Sequence, residues 1–250
     1  MRKSLSRIAT LTIRNVIEII RDPLSLIFAI ALPLVMEVLF YFLFHELTAQ
    51  FEMRYLAPGI VVFSQAFLTL FTGMLISSDR NTCFLTRLYV SRAKSYEFIA
   101  AYALAVLPVV LVQSVLFFII GGIFDPSLFG SGMFAAIPLS LITSLFFISL
   151  GILLGALCNE KSIGGVSSIA IAGQSVLSGM WFPVDGLGGG IITVMKALPF
   201  RNATLLIQNA VNGISDLSAD FIIPLVIVVA YTAATFVAAI TAFASKMRTK

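Results

Sequence analysis

The chain has 250 residues, 59% of them hydrophobic and 11% charged, with a mean hydropathy of +1.04 and a formal net charge of +4. A soluble domain of ordinary composition carries about 25% charged residues, so this one excludes a typical globular enzyme. Two isolated cysteines and one histidine also exclude a typical structural zinc site.

The first element is amphipathic. Leu5, Ile8, Ala9, Thr12, Ile13, Val16, Ile17 and Ile20 recur at helical spacing, while Ser4, Arg7, Arg14, Asn15, Glu18 and Arg21 occupy the other face, with Leu11 as the exception. A helix with one oily and one basic face lies flat in the membrane interface. The Arg21-Asp22-Pro23 step ends it, because proline lacks an N–H and restricts the residue before it. It reads as an anchor, with a force-transmitting elbow as the functional alternative.

Six apolar stretches follow, at residues 24–44, 55–77, 98–124, 133–158, 163–182 and 221–245. Each has at least about 20 residues, enough at ~1.5 Å per residue to cross a ~30 Å hydrocarbon core. Without water in that core the backbone must satisfy itself, which makes these stretches helices. The expected fold is all-α and polytopic: an N-terminal interfacial helix (1–23), a six-span domain (24–245) and a short tail (246–250). Thirteen of the sixteen Lys and Arg fall on one side if the N-terminus is cytoplasmic, among them Arg2, Lys3, Arg7, Arg14, Arg21, Arg80, Arg87, Arg92 and Lys94. This positive-inside pattern predicts a multi-pass cell-membrane protein with both termini in the cytoplasm. The basic balance therefore points to membrane lipid and not to nucleic acid.

Two loops stand out. The segment 78–97 contains a short stretch of mixed character, with Phe84, Leu85, Arg87, Leu88, Ser91 and Arg92 at helical spacing. It is either a contact surface for a partner or a helix lying on anionic headgroups. The outer loop, 184–220, holds a glycine-rich run, an apolar run at 191–198 too short to cross, and a second amphipathic piece at 204–211. Two re-entrant half-helices that cap a pathway are the expectation.

Motifs for self-contained chemistry fail. In the nearest string to an ATP-binding loop, Gly155 to Ser162, Glu160 stands before Lys161, where the phosphate cradle needs glycine. His45-Glu46 lacks the second histidine of a zinc-protease motif, since Ala49 occupies its place. Glu37 is the one acidic residue well inside a span. A charge there costs roughly 2.5–3.5 kcal/mol on insertion scales. It belongs to a substrate path or proton coupling, or else it is hydrogen-bonded to Gln65, Gln113 or Gln174 or lies nearer the outer interface. Gly151 and Gly155 permit a close helix approach.

Three strings resemble the type-2 ABC exporter permeases: the basic helix ending in Arg21-Asp22-Pro23; Leu85-Thr86-Arg87-Leu88-Tyr89-Val90-Ser91 followed by Glu97-Phe98; and Leu177-Ser178-Gly179-Met180-Trp181-Phe182-Pro183 with Leu198-Pro199 downstream. Thr86 replaces that family's usual acid, Arg92 stands where proline is common, and Gly188-Gly189-Gly190 replaces a proline-containing stretch. The resemblance implies a half-transporter. Two permeases, a homodimer or a homologous heterodimer, pair with two ATPase subunits that bind ATP and Mg, and this chain binds no cofactor itself. It further implies that Arg80, Phe84, Leu85, Arg87, Leu88 and Arg92 form a coupling helix on the ATPase, with Arg14 and Arg21 of the connecting helix beside them. Glu37, Gln65, Trp181, Phe182, Pro183 and Pro199 are the candidates for the substrate path or its gate. The expected cargo is an amphipathic drug, antibiotic or lipid-like compound leaving a prokaryotic cell. A lipid-linked or complex glycan is the nearest alternative cargo. An ion-coupled secondary transporter is the alternative class, one that would show internal repeats and paired intramembrane charges.

Overall fold

A computed structural model describes residues 2–81, 94–184, 187–213 and 218–248. The described residues form nine α-helices and no strand: α1 (Arg2–Ile20), α2 (Pro23–Phe44), α3 (Met53–Asn81), α4 (Ser95–Phe124), α5 (Ser131–Leu157), α6 (Glu160–Leu177), α7 (Gly189–Ala197), α8 (Pro199–Val211) and α9 (Ala219–Arg248). Five of them, α2, α3, α4, α5 and α9, are long and apolar enough to cross a membrane. The protein is an all-α polytopic membrane protein. Asp22 starts the first crossing helix: its carboxylate accepts from the backbone N–H of Ser25 at 3.2 Å, and Pro23 follows at a position whose N–H would have no partner.

The fifth predicted span differs from expectation. Its helix, α6, ends at Leu177 and does not run on to Phe182. Gly179 adopts φ +71°, a left-handed conformation that only glycine takes without strain. The chain turns there, and Met180 folds back beneath Gly59 of α3. At its other end α6 sets Ile163 against Gly73. From Gly59 to Gly73 is about 21 Å of helix at ~1.5 Å per residue, so α6 accompanies α3 through most of the core although it is short.

Helix α3 is the most enclosed of the crossing helices and packs against α2, α4, α5, α6 and α8. Its contact with α5 is close because glycines line it. A Cβ on Gly151 would stand 2.6 Å from the Thr69 carbonyl oxygen, and one on Gly155 would stand 2.8 Å from that of Gly73. Thr69 Oγ1 donates to the Phe147 carbonyl at 3.0 Å, and Gln65 Nε2 to the Ser140 carbonyl at 2.9 Å. Small residues that bring backbones together are a principal way for helices to associate in lipid, where the hydrophobic effect does not drive them. Gly151→Leu is therefore expected to destabilise the fold by at least about 1–3 kcal/mol through overpacking. Thermal unfolding in detergent measures this, and an unchanged midpoint would reject the close seam.

Candidate functional site: the α1 end and the re-entrant hairpin

Helix α1 is inside out relative to a surface helix of a soluble protein. Leu5, Ile13, Ile17 and Ile20 are exposed, whereas Asn15 is buried and Ser4, Arg7 and Arg14 turn toward the bundle. The apolar face is free to enter the interfacial layer, and the polar face meets two carboxylates. Arg14 donates to both oxygens of Asp79, at the end of α3, each at 2.5 Å. Asp79 is 1% exposed and also accepts from the Tyr102 hydroxyl of α4 at 2.5 Å. One turn before Tyr102, the buried Glu97 accepts from Ser4 Oγ at 2.5 Å, from Arg7 at 3.2 Å and from the Lys94 backbone N–H at 3.2 Å. Such bidentate and multiply donated carboxylates are the strong class of ion contact. They tie α1 to α3 and α4 next to residues 82–93.

Arg14 also pairs with Glu18 at 2.6 Å. Burial and the neighbouring Asp79 hold the Glu18 carboxyl above its usual range, with Arg14 pulling the other way. Arg80 does not face outward. Its Nη1 donates to the carbonyls of Gly155, Ala156 and Cys158 at 2.8, 2.9 and 3.0 Å. A cation there satisfies the orphan carbonyls at the end of α5 and complements its dipole. Arg21 is exposed. Phe84, Leu85, Arg87, Leu88 and Arg92 lie outside the described residues.

At the far end, α7 and α8 meet at a bend of 77°. The C-terminal end of α8 lies at the end of the bundle where α5 and α9 start. Val211 lies against Gly132 at the start of α5, and Asn209 donates to the Asp220 carbonyl at 3.0 Å. The pair is broken at its middle, and neither half alone is long enough to cross. Pro199, buried, opens α8, where a missing N–H does no harm. Asn202 closes the elbow by donating to the carbonyls of Lys196 and Leu198 at 2.8 and 2.6 Å. Phe200 fills the space over Gly173 and packs on Phe146 and Phe147. Gln174 donates to Thr204 at 3.1 Å and Gln208 to the Tyr55 carbonyl at 2.9 Å, which fix the hairpin to α6 and α3.

The turn after α6 is a latch. Trp181 packs tilted on Phe40 and edge-on to Phe63, with ring centroids 4.6 and 5.8 Å away, and its indole N–H donates to Ser175 at 3.0 Å. Gln50 donates to the Gly179 carbonyl at 2.7 Å. Phe182 is half-buried and Pro183 exposed on the same turn. Gln65 is committed to the α3–α5 seam, where its carbonyl also accepts from Thr143 at 2.9 Å. Glu37 is fully buried against Gly121 of α4, and neither carboxyl oxygen has a hydrogen-bond partner among the described residues. The glutamine partners expected for it are engaged elsewhere: Gln65 and Gln174 as described, and Gln113 with the Ala29 carbonyl at 2.9 Å. The neighbours Gly121, Ala57 and Leu128 place Glu37 near the far end of the bundle.

A bundle of crossing helices, with an amphipathic helix pinned across one end and a sharply bent helix pair packed into it, has the form of a multi-pass membrane transport subunit. The chain belongs to the ABC-2 type transporter family, whose model matches residues 6–212. No curated protein matches the chain.

Asp79→Asn is expected to destabilise the protein by about 2–4 kcal/mol. It removes the buried carboxylate of Arg14's two acidic neighbours, and the figure stays below that of a fully buried pair because Arg14 is 33% exposed and keeps Glu18. An Arg14→Ala, Asp79→Asn double-mutant cycle read by thermal unfolding isolates the pair, and purely additive effects would reject it. Glu37→Leu is expected to stabilise by about 1–3 kcal/mol, since it removes a buried unpartnered carboxyl. A lowered unfolding midpoint would show that Glu37 has a partner.

Proposed function

We propose that this chain is the permease subunit of an ATP-driven exporter of amphipathic small molecules, of the drug, antibiotic or lipid-like kind. A separate ATPase subunit, holding ATP and Mg, powers it, and a second permease, identical or homologous, completes the pathway. Both termini and the α1 end face the cytoplasm, in keeping with the charge distribution. The observation that carries the reading is the attachment of α1 through Arg14 to Asp79, at the point where α3 passes into residues 82–93. A push on that segment from a docked ATPase reaches α1, α3 and α4 together, because Asp79 joins all three. ATP binding then biases the permease pair between two arrangements by binding one better than the other.

The cargo's character follows from the lining available to it. The described spans carry few ionic groups, and those at the α1 end are paired within the protein, which suits a substrate with a large apolar part. In this reading the α7–α8 hairpin closes the exit, with Pro199 at its elbow and Trp181, Phe182 and Pro183 in the turn that precedes it.

Co-purification of the chain with an ATPase subunit, after mild solubilisation, tests the docking. Arg87→Glu is expected to reduce the recovered ATPase about tenfold, on the order of one lost contact to a charged group. An intact complex with intact ATP hydrolysis would reject the docking segment. Export by the purified chain with no ATPase present would reject the reading as a whole.

A further inference from the structure

Helix α2 meets the bundle along a single narrow row. Ala29, Pro33 and Glu37, each four positions from the next, are its buried residues, and the rest of the helix is half-buried or exposed. Pro33 has no N–H, so the Ala29 carbonyl one turn back has no donor within the helix. Gln113 of α4 donates to that carbonyl instead, at 2.9 Å. One turn beyond Pro33, Glu37 lies in a notch. A Cβ on Gly121 of α4 would stand 3.2 Å from Glu37 Oε1 and 3.1 Å from the Cβ of Ala57 on α3. The missing side chain of Gly121 is what gives the carboxyl its room.

The notch is apolar. Ala57 and Leu128 border it, both buried, and neither oxygen of Glu37 has a hydrogen-bond partner among the described residues. The titratable groups of the elements packed against α2 lie elsewhere. Those of α1, with Asp79 and Arg80 of α3 and Lys94, Tyr96, Glu97 and Tyr102 of α4, sit at the α1 end of the bundle. From Pro23 at that end to Glu37 is about 21 Å of helix at ~1.5 Å per residue. At the nearer end Arg54 pairs with Glu52 at 3.9 Å, and both are exposed. Tyr55 is half-buried, and Asp125 accepts from the Ser127 backbone N–H at 3.0 Å. On α2 and just past its end, Tyr41 stacks on His45, and Glu46 lies 3.9 Å from His45. An ionised carboxylate in the notch would have neither water nor a donor, which makes the charged form the costly one.

We propose that Glu37 is a proton-binding site that acts as a catch for α2. Its carboxyl holds a proton while the half of α2 beyond Pro33 is seated against α3 and α4. When that half lifts away, the O–H bond breaks, the proton passes to water and the carboxylate keeps the electron pair. Water is near: His45 at the end of α2 is about 12 Å of helix beyond Glu37. A proton bound only in the seated arrangement biases the protein toward it. The site's part in export rests on the reading above, whereas the proton site itself does not.

The chain has one tryptophan, and it reports on this half of α2. Trp181 packs on Phe40, one turn from Glu37, with ring centroids 4.6 Å apart, so its emission shifts to the red when the two separate. Infrared spectra of the full chain, in a detergent without ester groups, are expected to show a protonated-carboxyl band that Glu37→Gln lacks. On raising the pH, that band is expected to disappear and the Trp181 emission to shift to the red at the same midpoint, with the helices intact by circular dichroism. Glu37→Gln should show no such shift, and Glu37→Asp should restore it. If Glu37→Gln does not fold, Glu37→Leu takes its place. Absence of the Glu37 band, a band that pH does not remove, a band lost without an emission shift, a red shift that persists in Glu37→Gln, or a shift that comes with loss of helix would each overturn the proposal. Both readouts use this chain alone, so a failed ATPase co-purification leaves the proton site standing, and a failed titration leaves the docking result standing.

Discussion

The close approach of α3 to α5 is the constraint on which the rest of the bundle depends. Glycine at Gly73, Gly151 and Gly155 removes the side chains that would hold the two helices apart. Once the backbones touch, Thr69 and Gln65 reach carbonyls of α5 across the seam, and polar atoms that lipid would penalise become links. That contact sets the position of α3. The position of α3 in turn fixes Asp79 at one end and the Gly59–Met180 contact at the other. A shift of α3 along α5 would disturb both ends together.

The two ends answer to this shared helix by different means. At the α1 end the links are ionic and few: Arg14 to Asp79, Arg7 to Glu97 and Arg80 to the α5 carbonyls. Such contacts are strong when aligned and fail sharply when displaced. At the hairpin end neutral hydrogen bonds from Gln174 and Gln208 are joined by aromatic contacts, with Trp181 between Phe40 and Phe63 and with Phe200 on Phe146 and Phe147. Ring contacts give ground gradually, and several small contacts replace one large one.

Much of this architecture is legible in the residues themselves. Crossing helices announce themselves by length and hydropathy, and the hairpin by an apolar run too short to cross, because the bilayer turns chain length into topology. The α6 boundary at Leu177 was less legible, because apolar residues continue to Phe182 and only the backbone of Gly179 reveals the turn. Asp79 and Glu97 were hardest to read. Each sits at the edge of a span, where a carboxylate looks like ordinary loop polarity, and its burial depends on α1, which is distant in sequence. A signal was nonetheless present: Arg7 and Arg14 share one face of α1, and two acids lie at the strongly basic end of the bundle. Glu37 was legible as an anomaly. Its surroundings were not, since the glutamines that might have met it are drawn off by carbonyls and hydroxyls of other helices.

The partners of α1 are made late. Asp79 follows Arg14 by 65 positions, and Glu97 follows Arg7 by 90. At about 5–20 residues per second a ribosome needs on the order of several seconds to supply them. Through that interval the newborn helix has only its own oily side to hold it, so it must rest in the lipid surface unattended while the next two crossings are threaded. The outward-facing row of Leu5, Ile13, Ile17 and Ile20 thereby serves the chain first as a mooring during its insertion, before the ionic links exist.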